Sequence, residues 1–405
     1  MRLLVLTDWE YPCDHEFLNE VFSKRLTEKG YDLVWVMRPR ENHSGMIEQY
    51  DWNGNSVYIP PKNAYDPIRT SINYFTKRME DHTVVALLDD IESFDGIHVR
   101  NDLAMGLVAS YLSQSYDIPY AHQISHLKAE TKIQMAKSGE SDSSVIDYFQ
   151  GKLGRHLRKF VSSHATVRFP ISETMTDVLR EQGYSEPLIP LPTGSNTELD
   201  PDSIDPSPFI ESYDIPDTPI MLYIGTMNPM RNLEFLIEVV ELIRQEIPVT
   251  LLMVGGRNQE YRRRLKREAE RVGVEDSVVF TGWISDRSKI NQAIKVADIG
   301  LSPLPPTDVF QTNAPIKVLE YLALETPVVA SDIPDHRTVV NESGGGRIVN
   351  CHSAAFAETI INLLQSDKAR KRMGANGREY VQNYRSFETL TDFLEQQYNS
   401  YITDC

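Results

Sequence analysis

Residues 313–334 read NAPIKVLEYLALETPVVASDIP, and the fold follows from this stretch. A helix starts at its left end. Asn313 is a good N-cap, and Pro315 is tolerated only in a first helical turn, where its missing N–H costs nothing. Val318, Leu319, Leu322 and Ala323 recur at helical spacing and make a buried face. Thr326–Pro327 ends the helix, and PVVAS starts a β-branched run. The first N–H groups of a helix have no partner within it, and the dipole adds positive potential. Such a start suits a diphosphate. Lys317 sits in that turn and can add a full charge. Glu320, one turn on, can accept from both hydroxyls of a ribose. The competing reading is an ordinary amphipathic helix between two strands.

Working outward, the second half alternates strands and helices. The expected strands are Ile220–Ile224, Thr250–Val254, Val278–Thr281, Ile299–Ser302 and Pro327–Ala330. The expected helices are Leu233–Gln245, Glu260–Val272, Ser288–Ala297, Pro315–Glu325 and Ala354–Gln365. The first half does the same less regularly. Strands are expected at Leu3–Thr7, Asp32–Met37, Gly96–Val99 and Ile118–Gln123, with helices at Glu16–Lys29 and Asp102–Ser113. Strand–helix repetition of this kind means parallel sheets covered on both faces. The expected class is α/β, with two doubly wound Rossmann-like domains facing each other across a cleft. Ligands of such sheets bind beyond the carboxyl ends of strands.

With 405 residues, two domains are the default. Residues 201–217, dense in Pro, Asp and Ser, are the expected linker. The first domain is then 1–200, completed by a C-terminal helix at about 385–405, and the second is 218–384. Hydrophobic content of 41% and charged content of 24% are ordinary for a globular enzyme. A formal net charge of −17 argues against nucleic acid as the main partner, because phosphate binding needs a basic footprint. Cys13, Cys351 and Cys405 are too few and too scattered for a disulfide framework or zinc site, so a reducing, cytoplasmic setting is expected. The N-terminal MRLLVLTDWEY reads as a buried strand and lacks signal-peptide features.

A second constellation supports the first. Leu222–Val240, LYIGTMNPMRNLEFLIEVV, reads as strand, glycine turn and helix. Gly225 permits close backbone approach. Arg231 stands just before the helix, placed to meet a phosphate bidentately. In the first half, Arg100 ends a strand in IHVRND and can approach the cleft on the acceptor side, with a structural ion pair as the equal alternative.

These motifs, in order, resemble the nucleotide-binding domain of the retaining glycosyltransferases of family 4, which have the GT-B fold. The markers are YIG…RNLEFLIE, LLMVGG, VVFTGW, VADIGLSP, PIKVLEYLALETPVVASD, GGGRIV and RMGANGREYV, covering Ile220–Tyr384. The first half matches more loosely, through IPYAHQISHLKAE, FPISETM and PLPTGSN. The resemblance implies a nucleoside-diphosphate sugar as donor and a sugar, glycan or lipid-linked acceptor. Arg231 and Lys317 would hold the diphosphate, Glu320 the ribose, and the backbone of Ala314, Pro315 and Ile316 would lie against the phosphates. The base would pack near Gly282 and Trp283. His126, after the strand Ile118–Gln123, is the candidate near the transferred sugar, and His122 the candidate core histidine. The reaction would be substitution with retention, using no metal and no cofactor.

The sequence also departs from the family. Thr312 stands where the first of two spaced glutamates is usual, which bears on sugar choice. Met227 replaces a usual basic residue. DWEYPCDHEF replaces a glycine-rich loop, so Asp14, His15 and Glu16 become acceptor-side candidates. His336 and Arg337 read as structural, and Asp200–Pro201–Asp202 as solvated acids rather than a metal motif. Residues 151–161, with Lys152, Arg155, Arg158 and Lys159, can form a basic amphipathic helix that rests on a membrane's inner face, or simply a solvated face. Two other functions share this architecture: a nucleotide-sugar epimerase, and a binding protein without turnover. A nicotinamide dehydrogenase is set aside for want of a GxGxxG in the first strand.

Overall fold

The computed structural model describes residues 1–38, 47–59, 91–138, 144–314 and 316–403. The chain forms two compact units, Met1–Pro192 with Leu390–Cys405, and Thr193–Thr389.

The first unit holds a seven-stranded sheet in the order β3-β4-β2-β1-β5-β6-β7. Its strands are β1 (Arg2–Glu10), β2 (Asp32–Arg38), β3 (Glu48–Trp52), β4 (Asn55–Ile59), β5 (Gly96–Arg100), β6 (Tyr120–Ile124) and β7 (Val167–Pro170). All neighbours are parallel except β3 and β4. That antiparallel pair was not foreseen, although its signal is plain in DWNGNS. Asn53 and Gly54 both take positive φ, as a two-residue hairpin turn requires. The helices are α1 (Leu18–Leu26, with wide turns), α2 (Leu103–Tyr116), α3 (Lys128–Ser138), α4 (Ser144–Ser163) and α5 (Glu173–Glu181). Asp102 caps α2 by accepting from the N–H groups of Ala104 and Met105 at 2.9 and 3.1 Å.

The second unit holds a six-stranded, all-parallel sheet in the order β10-β9-β8-β11-β12-β13. The strands are β8 (Ile220–Gly225), β9 (Thr250–Gly255), β10 (Val278–Gly282), β11 (Ile299–Ser302), β12 (Val328–Ser331) and β13 (Gly346–Val349). Its helices are α6 (Ser207–Ser212), α7 (Glu234–Ile243), α8 (Gln259–Val272), α9 (Arg287–Val296), α10 (Asp308–Gln311), α11 (Ile316–Ala323), α12 (Pro334–Ser343), α13 (Ser353–Leu364) and α14 (Asp367–Tyr384). The nine strands read from the sequence all exist, within two residues at each end except that β1 runs on to Glu10.

The expected linker is corrected. Residues 201–217 are not a spacer. Phe209 and Ile215 are buried in the same apolar cluster as Ile220, Leu222 and Leu319, so the segment packs on the second unit. The division falls between Pro192 and Thr193 instead. Proline and acid density marked an irregular path, which need not be a solvated one. The C-terminal return is as expected. Helix α15 (Phe387–Tyr398) carries the chain back, and from Leu390 it belongs to the first unit. There Tyr398 is fully buried, with its hydroxyl 2.8 Å from His98 Nδ1, and Ile402 packs on Gly96.

Candidate donor site

Helix α11 is held hard against its sheet. Tyr321 lies over Gly300 of β11, where any Cβ would come within 2.4 Å of its ring. Its hydroxyl accepts from the Ile224 N–H of β8 at 2.9 Å. The face read from the sequence is buried as expected, through Val318, Leu319, Leu322 and Ala323. Glu320 and Tyr321 are buried too.

Glu320 is the centre of the site. Its side chain is 2% exposed, yet it carries a charge. Arg287, the first residue of α9, places Nη1 2.8 Å from Oε1. Lys317 places Nζ 2.8 Å from Oε2. Burial alone would raise this carboxyl. The two cations outweigh it and hold it well below the ordinary range, at about 2. Lys317 and Glu320 therefore form one cluster with each other, where sequence reading gave them separate tasks. Arg287 was missed. No motif marks it, and only the approach of α9 to α11 brings it in.

Arg231 follows β8, the neighbour of β11 in the sheet. It ends a tight turn, Pro229–Arg231, closed by Asn232 with φ of 47°. Its guanidinium lies 5.8 Å over the ring of Phe310 in α10. Met230 packs with Phe310, Leu304 and Ile333. The turn after β8 thus rests on the loop that leads into α11. Gly225 has φ of 154°, and a Cβ there would stand 3.9 Å from Arg231 Nη1. Burial raises the Tyr223 hydroxyl above its usual range, with Arg231 working against it.

The other donor-side residues fall as follows. The Ala314 carbonyl accepts from Thr193 Oγ1 at 3.1 Å. Ile316 begins α11 and is half-buried, while Pro315 lies outside the described residues. Gly282 has φ of 77°, with Arg262 close against its α-carbon. Trp283 is 49% exposed, and Arg257 stacks on its ring at 4.0 Å. The two departures are built into the core. Met227 is fully buried, and its sulfur would meet a Cβ on Gly256 at 2.6 Å. Thr312 is buried, and its hydroxyl donates to the Val309 carbonyl at 3.2 Å.

In the first unit, Arg100 is 5% exposed at the end of β5, paired in register with Thr7 and Gln123. Burial lowers its guanidinium to about 10, with Asp8 the main opposing charge. Its Nη2 is 3.2 Å from His15 Nε2, so two acceptor-side candidates touch. Asp8, whose charge opposes the effect of burial on Arg100, also pairs with Lys128. Asp14 is exposed. His126 is half-buried beyond β6, its Nε2 3.2 Å from Thr131 Oγ1.

Two further histidines are buried. His122 is buried on Ser162 at 2.7 Å and pushed down to about 3 by burial. His336 is buried between Ser302 Oγ and the Ser331 carbonyl, at 3.0 and 2.9 Å. Arg337 pairs on the surface with Asp332. Asp202 is exposed and 3.5 Å from Lys295 Nζ. Among the described residues, no three His, Cys, Asp or Glu side chains are grouped to hold a metal. One basic residue of 151–161 was misread. Arg158 is buried and clamps Glu130 with two bonds of 2.7 Å, so it does not join the solvent face of α4.

Comparison with known proteins places the chain among similar sequences and folds. Residues 208–380 match the family model for glycosyl transferases group 1. A putative glycosyltransferase, EpsD of Bacillus subtilis, is 26% identical over 184 residues, covering 45% of this chain and 46% of its own. The chain thus spans about half the length of that relative. Phosphatidyl-myo-inositol mannosyltransferase of Mycobacterium tuberculosis is 27% identical over 87% of this chain and 84% of its own. Among solved structures, sucrose-phosphate synthase of Thermosynechococcus elongatus superposes with a TM-score of 0.77 at 18% identity, covering all of both chains. Anabaena HepE in complex with UDP gives 0.70 at 15% identity, covering 99% of this chain and all of that one. The fold is GT-B. Over residues 208–380 the chain is similar to the glycosyl transferases group 1.

Proposed function

We propose that the protein moves a hexosyl group from a nucleoside-diphosphate sugar to an acceptor hydroxyl, with retention of anomeric configuration, in glycan or glycolipid synthesis. The observation that carries this is the cluster at the carboxyl ends of β8 and β11. There Glu320 is buried and ionised, with Lys317 Nζ 2.8 Å from its Oε2, and Arg231 is braced on Phe310. A carboxylate in that state accepts hydroxyls, and the cations meet phosphates. The mannosyltransferase relative and the UDP complex of HepE support the same donor class.

Retention follows if the acceptor hydroxyl attacks the anomeric carbon from the face the diphosphate leaves. The C–O bond to the acceptor forms as the bond to the phosphate oxygen breaks. The departing oxygen takes the acceptor's proton. Arg231 and Lys317 would neutralise the charge that develops on the diphosphate, a role that needs no metal. His126 would face the transferred sugar, and Arg100 with His15 and Asp14 the acceptor.

The first test is thermal-shift screening against UDP, GDP, ADP and their sugars, then transfer assays with the best donor and analysis of the product's anomeric configuration. An inverted product would overturn the retention. Release of an epimerised nucleotide sugar without acceptor would point to the isomerase. Nucleotide binding without turnover on any acceptor would favour the binding protein.

The outer face of α4 adds a place of work. Val145, Ile146, Phe149, Leu153 and Phe160 are exposed along one helix, with Lys152, Arg155 and Lys159 among them. Exposed apolar surface on this scale is unusual on a soluble face. No helix among the described residues is long and apolar enough to cross a membrane. A lipid-linked acceptor, met by peripheral docking of this helix on an anionic inner leaflet, accounts for it.

A further inference from the structure

Arg287 is in a costly place. It is the first residue of α9, next to the capping Asp286, whose carboxylate accepts from the Ser288 N–H at 2.9 Å. A cation at a helix start opposes the dipole. Its side chain is 40% exposed and could stay solvated. Instead it reaches Glu320 on another element, at 2.8 Å. Local preference is violated in favour of one buried carboxylate, a pattern expected at functional sites.

The second cation on that carboxylate is the one the diphosphate needs. Lys317 Nζ is 2.8 Å from Oε2. One ammonium cannot serve a carboxylate and a diphosphate at full strength together. When it turns to the phosphates, Glu320 loses half of its counter-charge while staying buried. A buried carboxylate left unpaired would protonate, and then donate a proton where it must accept.

We propose that Arg287 is the positioning residue of the donor site: it fixes Glu320, ionised and oriented toward the ribose hydroxyls, and so releases Lys317 to the diphosphate. The ligand class is a ribonucleoside diphosphate with its 2′-hydroxyl intact. The proposal rests on the ribose role given to Glu320 above.

The test is calorimetry on the full chain. The probes are the tightest-binding of UDP, GDP and ADP, and its 2′-deoxy counterpart. The readout is the ratio of their dissociation constants, which isolates the hydroxyl from the diphosphate. A hydrogen bond to a charged group predicts about a tenfold ratio or more for the parent protein. Glu320→Gln should bring the ratio close to one. Arg287→Ala should do the same, and Arg287→Lys should restore part of it. In the Glu320→Gln background, Arg287→Ala should change the ratio by less than about twofold, because the two act through one group. Arg287→Ala with the parent ratio, even at lower overall affinity, would overturn the proposal alone. A parent ratio of one, or one that Glu320→Gln leaves untouched, would overturn the ribose role with it. If Arg287→Ala does not fold, Arg287→Gln carries the same measurement.

Discussion

Glu320 holds two cations, and the three residues have different expected losses. In the proposed reaction, Lys317→Ala and Arg231→Ala remove charge needed as the diphosphate departs. Each should cut transfer at least about a hundredfold, with thermal unfolding little changed because both side chains are partly solvated. Near-normal transfer by both would sink the site. Glu320→Gln keeps the shape and removes the charge. It should weaken binding of the free nucleoside diphosphate by about tenfold or more, the scale of a charged hydrogen bond. Unchanged calorimetric affinity would remove the ribose role. Glu320 should also stay ionised throughout the neutral and mildly acid range. Its folded value lies below the unfolded one, so its charge is lost only as pH falls toward about 2. Nucleotide affinity should therefore show no Glu320 titration between pH 5 and 8. Lys317 and Glu320 were legible in the sequence because a helix start and a turn's spacing are local. Arg287 was not, because its partner lies 33 positions away and nothing local announces the meeting.

The elements put these residues in place through close approaches. Gly300 lets Tyr321 seat α11 on β11, with 2.4 Å from a notional Cβ to the ring. Gly300→Ala should force α11 outward and cost about 1–3 kcal/mol, the usual penalty of overpacking. Loss of nucleotide affinity should accompany the lowered melting temperature, and an unshifted melting temperature would show that the seat is not tight. Helix α4 has the opposite problem, apolar surface with nothing over it. Phe149→Asp with Leu153→Asp should abolish sedimentation with vesicles containing anionic lipid while leaving transfer to a soluble acceptor intact. Equal binding by parent and variant would assign the face another role. The basic amphipathic character of α4 was readable from periodicity. That Arg158 turns inward to Glu130 was not, because helical spacing shows a face but not what a neighbouring helix offers it.

At the scale of the molecule, the chain builds its second unit from one long run and finishes its first with its last residues. Tyr398→Ala should open the first unit's core, removing a fully buried ring and its bond to His98, at about 3–5 kcal/mol. Nucleotide affinity should survive, because the donor cluster lies wholly in the second unit. Loss of both together would show that the units do not fold separately. The sequence by itself determined the class of fold, nine strands and the helix that follows Asn313, and it marked Arg231, Lys317 and Glu320 as donor-site candidates. These follow from periodicity, capping chemistry and ordered motifs, all of which act over a few residues. Only the tertiary structure decided that 201–217 pack rather than link, that Met227 and Thr312 are core, that Arg100 meets His15, and that Lys317 and Glu320 share a cluster with Arg287. Each is an encounter between segments far apart in the chain. Burial and counter-charge at such encounters depend on which surfaces the folded sheets bring together, and local pattern does not specify that.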